Sequence, residues 1–343
     1  MRPTRPLALL LAPLLAFTAC DTAAPPEPPT DGETTAPLTG AFQVTSQFEV
    51  PATVAAPGPL GDALRLVHGL ATDPGTALLD FAEDAGVPAL AELRLVLPDV
   101  LEAELTGWLN AYLTTATADG VSPHQRLAEL DELIRSVLLA WELRSTLVLP
   151  GGGAGTHAPV SLAFASPAGP VVVPLDLTAP VTAGTGVTAR IVRPAAGGAA
   201  VVTISDHAMG VPFGHYARQA LEVILLERFG APDLRGVLAA LVGCDALAAE
   251  VAGRCAGPLC VGHAAELRAI CQGGVAEASS RLEAQVLGLD FKAIHFQAGT
   301  ASPAGALLPG SADVTALQGG VWTAAIDLGQ GAEAATATFT AVR

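Results

Sequence analysis

Alternation of apolar and polar side chains marks both ends of the part of this sequence that is expected to fold. Residues 41–50 alternate almost without a break, and residues 322–328 and 336–341 do the same on either side of a Gly-Gln-Gly turn at 329–331. A period of two residues places one face of a strand in a core and the other face in water. The pattern therefore predicts an antiparallel sheet whose C-terminal part is a β-hairpin.

Six further segments have the composition of short strands and are separated by glycine and proline, namely 145–149, 159–165, 170–177, 187–193, 199–206 and 290–297. About nine strands, each with one solvated face, predict an antiparallel β-barrel or sandwich. A closed barrel would allow an interior cavity, and the residues expected to line it are Phe42, Phe48, Trp322 and Phe339. A filled core is the alternative.

Two helical blocks interrupt the predicted strands, near residues 59–143 and 213–288. In the first block, Asp73 and Ser122 each precede a proline, which is typical of an N-cap followed by the first helical residue. Gln125 completes a capping box with Ser122. An apolar stripe then follows one helical face, and its members are Leu127, Leu130, Ile134, Val137 and Trp141.

These patterns together predict an α+β fold in which residues 41–343 form a single body with two helical insertions. A division into two domains near the glycine run at 151–153 is the alternative.

The first twenty residues have the layout of an export signal. Two arginines precede an apolar run at 7–17 that is too short to span a bilayer, and small residues precede Cys20. This segment resembles the signal of bacterial lipoproteins, in which cleavage exposes a cysteine that carries a diacylglycerol thioether. The resemblance implies that residues 1–19 are removed and that Cys20 attaches the protein to a membrane through lipid. An ordinary cleaved signal that ends near Ala19 is the alternative.

Residues 20–40 are expected to be a lipidated cysteine followed by a tether rich in proline and threonine. Proline pairs favour extended polyproline II, in which twenty residues at about 3.1 Å each reach roughly 60 Å. The expected location is the bacterial cell envelope, outside the cytoplasm. The sequence leaves both the inner and the outer membrane open.

Four other cysteines are spaced symmetrically, at Cys244, Cys255, Cys260 and Cys271. The two cysteines of each half are eleven steps apart, about three turns at roughly 3.6 residues per turn, so their thiols share one helical face. Folding two such helices antiparallel about a turn at 256–259 pairs Cys255 with Cys260 and Cys244 with Cys271. An exported protein meets an oxidising compartment, so we expect a helical hairpin with these two disulfides. A four-thiolate zinc site is disfavoured, because structural zinc sites usually present closely spaced cysteine pairs.

The charge balance excludes one class of partner. The chain has 17 Lys and Arg against 33 Asp and Glu, a net charge of −16, whereas binding to nucleic-acid phosphates needs clustered basic residues. We therefore expect no nucleic-acid partner. The uncharged run at residues 157–175 is interrupted by four prolines and does not predict a membrane-spanning helix.

Familiar catalytic motifs are absent from the sequence, which has no Gly-x-Ser-x-Gly, His-Glu-x-x-His or Gly-Lys-Ser/Thr segment. The junction at 205–218 contains Asp206, His207 and His215, which are residue types that bind metals or transfer protons. A turn that caps the following helix, with its polar residues in water, is the alternative. Among the other histidines, His295 shares a predicted strand face with apolar neighbours and is expected in the interior.

The sequence thus predicts a lipid-anchored protein of the cell envelope with a non-catalytic binding or structural role, without a metal or cofactor. Its partner would be a protein or a small hydrophobic ligand. One alternative is carriage of that ligand inside a β-barrel. Another is a hydrolase or metalloenzyme that uses Asp206, His207 and His215, which requires those side chains to converge.

Overall fold

A computed structural model describes residues 34–51, 56–115, 120–151, 153–176, 181–194, 198–289, 291–305, 313–327 and 332–343. The strands in these ranges are β1 (Thr34–Pro37), β2 (Gly40–Glu49), β3 (Ala140–Leu149), β4 (Gly155–Phe164), β5 (Val171–Pro174), β6 (Gly184–Val187), β7 (Ala189–Arg193), β8 (Val201–Ile204), β9 (His207–Val211), β10 (Cys255–Ala256), β11 (Leu259–Cys260), β12 (Phe291–Pro303), β13 (Ala316–Asp327) and β14 (Ala332–Val342). The helices are α1 (Gly58–Thr72), α2 (Pro74–Asp84), α3 (Pro88–Val96), α4 (Asp99–Thr114), α5 (Pro123–Leu139), α6 (Phe213–Phe229), α7 (Leu234–Val242), α8 (Cys244–Ala252) and α9 (Ala264–Leu287).

Twelve strands form one antiparallel sheet, which confirms the α+β prediction. The sheet order is β1-β7-β8-β12-β13-β14-β2-β3-β4-β5, while β9 pairs with β12 and β6 pairs with β4. The first and last long strands, β2 and β14, pair over seven residues. The prediction of about nine strands was too low, because β1, β6 and β9 are short segments that pattern alone did not separate from turns.

Within the described residues, the path of paired strands ends at β1 and at β5, so the sheet is not closed. The predicted barrel is therefore wrong, and the sandwich alternative fits better. Proline supplies a physical reason at both edges. Strand β1 ends at Pro37, and β5 follows Pro170 and ends at Pro174. Proline has no backbone N–H, so these edges offer few donors for a further strand.

The open sheet nevertheless curls until distant strands face each other. His157 on β4 and His207 on β9 are hydrogen-bonded, although six strand pairings separate β4 from β9 along the sheet. Successive side chains of a strand point to opposite faces, so every second side chain points into the interior of the curled sheet. Strand β3 shows this, because its residues are alternately buried and more exposed.

Both helical insertions leave the sheet at the same end. Helices α1–α5 connect β2 to its neighbour β3, and α6–α9 connect β9 to its neighbour β12. The helices therefore gather over one end of the sheet, where the ring of Phe213 packs 5.3 Å from Trp141 and 5.9 Å from Phe164 between centroids. Within the described ranges, no helix combines the length and the apolar content needed to cross a bilayer.

The two helical blocks contact each other directly. Helix α9 packs along α1, α2 and α3 of the first block. Gly274 of α9 lies against the backbone of Leu78 in α2, and Arg281 donates to Asp84 at 2.7 Å between Nη1 and Oδ2. The buried residues of sheet and helices form one continuous core.

The predicted helix starts are present. Asp73 accepts a hydrogen bond from the Thr76 backbone N–H at 3.3 Å, and Ser122 and Gln125 form both halves of a capping box. The end of the block was predicted wrongly. Helix α5 ends at Leu139, and Trp141 lies on β3, where its ring stacks on Phe48 of β2 at 4.3 Å between centroids.

The folded body begins earlier than predicted. Residues 34–37, assigned to the tether, form β1 and pair with β7 from Arg193 to Arg190. The last part of the predicted tether at 20–40 is therefore part of the sheet. The signal peptide, Cys20 and the rest of the tether lie outside the described residues.

Two disulfides have the predicted pairing. Cys244 at the start of α8 is bonded to Cys271 in α9, with Cα atoms 5.6 Å apart. Cys255 and Cys260 are bonded to each other and are directly paired across β10 and β11. The hairpin differs from the prediction in one respect, because α8 ends at Ala252 and the inner disulfide lies on strands rather than helices.

Candidate functional site

A chain of polar side chains crosses the interior of the curled sheet. The Oγ atom of Ser145 lies 2.7 Å from Nε2 of His157, and Nδ1 of His157 lies 2.8 Å from Nε2 of His207. Nδ1 of His207 lies 2.9 Å from the carbonyl oxygen of Ser205. We call Ser145, His157 and His207 the relay.

The terminal carbonyl fixes the direction of every hydrogen bond in the neutral relay. The oxygen of Ser205 only accepts, so Nδ1 of His207 carries a hydrogen and Nε2 is an acceptor. Nδ1 of His157 must then donate to His207, which leaves Nε2 of His157 to accept from the hydroxyl of Ser145. The serine hydroxyl therefore donates to an imidazole.

Each member reaches the interior through its place on a strand. Ser145 and His157 lie at inward positions of the neighbouring strands β3 and β4, and His207 begins β9 on the opposite side. Gly184 of β6 is paired with His157, and a Cβ atom on it would lie 2.9 Å from Cδ2 of His207. The absence of a side chain at Gly184 thus makes room for the imidazole of His207.

Aromatic rings surround the two histidines. Phe296 is paired with His207 across β12 and β9, and its ring stacks on the imidazole at 4.9 Å between centroids. Trp322 stacks on His157 at 6.0 Å and donates from Nε1 to the buried hydroxyl of Ser46 at 3.1 Å. The relay is thus satisfied internally and enclosed by apolar surface.

Burial keeps both imidazoles neutral. Desolvation lowers the pKa of His157 from 6.5 to about 3, and repulsion by charge on His207 adds to the shift. Desolvation also lowers the pKa of His207, against the opposing effects of the Ser205 carbonyl and the Asp206 carboxylate. Protonating either imidazole without a charged or hydrogen-bonding partner would destabilise the folded state, because the charge would be buried among apolar side chains.

Of the predicted site residues Asp206, His207 and His215, only His207 belongs to the relay. Asp206, the residue directly before β9, is exposed. His215 is exposed on α6, where its Nε2 is hydrogen-bonded to Gln219 at 2.8 Å. The three side chains do not converge, and the described part of the chain has no cluster of three or more residues able to hold a metal ion.

The interior is packed by the residues that were predicted to line a cavity. Phe42, Phe48, Trp322 and Phe339 are all at most 3 % exposed. Trp322 stacks on Phe339 at 4.4 Å between centroids. A hollow of about 330 Å³ does exist beside them, where the ring of Phe339 meets outward-facing residues of β2 and β14 and the glycines of β13.

Sequence reasoning missed Ser145 and His157. It also placed an imidazole inside at His295, which is exposed on β12. The alternation of each strand could have located them. Ser145 lies two residues after the buried Leu143, and His157 lies two residues before the buried Pro159, so both are on the inward faces of their strands. A polar residue at an inward position needs a partner in the core.

Comparisons of this chain with protein-family models, curated proteins and solved structures found no match.

Proposed function

We propose that this protein is a lipid-anchored component of the bacterial cell envelope whose folded body, held outside the cytoplasm, has a non-catalytic structural or binding role. Attachment through Cys20 rests on the resemblance of residues 1–20 to a lipoprotein signal. Two or more acyl chains give stable anchoring, whereas a single chain does not.

The two disulfides support a location outside the cytosol. Bonds such as Cys244–Cys271 and Cys255–Cys260 persist in oxidising compartments and are rare where thiol reductants are abundant. The first described residue of the body is Thr34, and the segment between it and Cys20 is fourteen steps long. At about 3.1 Å per residue it reaches roughly 40 Å when extended, which is shorter than the sequence alone predicted.

The enclosure of the relay is the observation that carries the non-catalytic part of the proposal. A serine that donates to a histidine is the arrangement found at activated nucleophiles. Here Ser145 is 1 % exposed and His157 is fully buried, so in the described structure the hydroxyl is closed off from a substrate in solvent. Aromatic rings also fill the interior of the described part of the sheet, where Trp322 packs edge-on against Phe296 and stacks on Phe339, which argues against a hydrophobic ligand there.

Two measurements test this proposal. An alkyl fluorophosphonate labels serines that a base activates, so we expect no labelling of the folded protein at pH 7.5, and the same result for Ser145→Ala. Labelling that disappears in Ser145→Ala would establish a hydrolase. Cell fractionation should find the wild-type chain in the membrane fraction and Cys20→Ser in the soluble extracytoplasmic fraction. Recovery of both from the cytosol would contradict the anchor and the compartment.

A further inference from the structure

Two parts of the curled sheet, Thr182–Val187 and β9, lie against each other with few backbone hydrogen bonds between them. We call this contact the seam. In the described residues, the backbone contact at the seam is an isolated bridge in which Thr182 and Gly210 exchange two hydrogen bonds of 3.0 Å. Strand β6, within this segment, pairs with β4 at only three positions. The hydrogen bond from His157 to His207 therefore spans the seam from β4 to β9.

One added proton fits into the relay without moving a heavy atom far. If His207 is protonated at Nε2, it donates to Nδ1 of His157. His157 then carries its hydrogen on Nε2 and donates to Oγ of Ser145. The hydroxyl of Ser145 turns to the carbonyl oxygen of Val44, which lies 3.5 Å away. Both hydrogen bonds within the relay have reversed, and the bond from His207 to Ser205 is kept.

A second proton cannot be placed in the same way. Two charged imidazoles would direct N–H groups at each other across 2.8 Å, with ring centroids only 5.0 Å apart. The charge has little compensation nearby. Asp206, directly before β9, is the carboxylate that acts on His207. On β3, Glu142 and Arg144 pair with each other at 2.7 Å, and His295 on β12 is exposed to solvent.

We propose that the relay is an acid-operated latch on the seam, which takes up one proton by reversing its hydrogen bonds and releases β9 from β4 when a second proton arrives. The proton enters at His207, which is 9 % exposed, whereas His157 is fully buried. Release uncovers the rings of Phe296 and Trp322. Such a device suits a protein outside the cytosol, where the surrounding pH is not buffered by the cell.

Hydrogen–deuterium exchange of the folded protein tests the latch. Between pH 7 and pH 4.5, after correction for intrinsic exchange, we expect amides of β4 and β9 to exchange about tenfold faster or more, while those of α9 stay protected. His207→Gln keeps an acceptor for the Nδ1–H of His157 but cannot be charged itself, so its acceleration should be at least about threefold smaller than that of the wild type. His215→Gln, an exposed histidine, is the matched control and should behave like the wild type.

Equal acceleration in wild type and His207→Gln would overturn the latch, as would loss of protection in α9 at the same pH as in β9. If His207→Gln does not fold at pH 7.5, the latch is tested by the exchange pattern of the wild-type protein alone. A seam that opens before α9 supports the latch, and acid exchange spread evenly over the molecule refutes it.

Discussion

Replacing Gly274 with alanine tests whether the two helical blocks are packed as one layer. Gly274 lies in α9, and a Cβ atom built on it would overlap the carbonyl oxygen of Leu78 in α2 and lie 3.3 Å from the carbonyl carbon. The neighbour is backbone, so it cannot rotate away as a side chain would. The methyl group fits only if α2 and α9 move apart.

The expected effect combines two opposing contributions. Overpacking a tight contact costs about 1–3 kcal/mol, and the obstruction by a backbone carbonyl places Gly274→Ala toward the upper part of that range. Alanine gains up to about 1 kcal/mol over glycine in a helix interior. We expect a net loss of about 1–2 kcal/mol in the free energy of unfolding.

Gly69 in α1 provides the matched control. A Cβ atom there would meet no atom within 4 Å, so Gly69→Ala should gain about 0.5–1 kcal/mol. Urea unfolding of both variants, followed by circular dichroism, should separate their free energies by roughly 2 kcal/mol. If Gly274→Ala is as stable as Gly69→Ala, α9 does not pack against α2 as described.

Three other outcomes follow from the disulfides and the buried histidine. Replacing Cys244 and Cys271 with alanine should lower the free energy of unfolding by about 3.6 kcal/mol, because their loop is long; equal stability with the wild type would contradict this chain-entropy reasoning. The same change at Cys255 and Cys260 should cost only about 2.2 kcal/mol, because their loop is short, and a larger loss than for the outer bridge would reverse the expected order. Burial lowers the pKa of His157 to about 3 in the folded state, so its contribution to stability is complete above pH 6.5 and is lost as the pH falls from 6.5 towards 3. That loss amounts to about 2 kcal/mol at pH 5, and a phenylalanine at position 157 should remove it from urea unfolding curves measured at pH 7.5 and pH 5.

Local chemistry made much of the fold predictable. Alternation located β2, β13 and β14, because a half-buried strand imposes a period of two on its own residues. Asp73 and Ser122 marked helix starts, because a cap is satisfied within four residues. The cysteine pairing followed from a tight turn, which brings the two halves together even though the inner pair lies on short strands.

Features that depend on distant partners were not predictable in this way. Trp141 continued the helical period of Leu127 and Ile134, and only its pairing with Phe48 on β2 decides that it belongs to a strand. The open edges likewise depend on which strands find partners after the sheet has curled.

The relay was hidden for the same reason. His157 and His207 are 50 residues apart, and His157 is 12 residues from Ser145. No local spacing connects them, because they meet only when β9 returns to β4. The predicted group of Asp206, His207 and His215 was based on closeness in sequence, yet neighbours on a strand point to opposite sides.

The mass of the mature N-terminal peptide, isolated from membranes of cells that express the full chain, tests the proposed anchor most directly. The lipoprotein assignment predicts a peptide that begins at Cys20 and carries a diacylglycerol on its sulfur, and it predicts that Cys20→Ser yields no lipid-modified peptide. A peptide that begins elsewhere, or an unmodified Cys20 in the mature protein, would contradict the account.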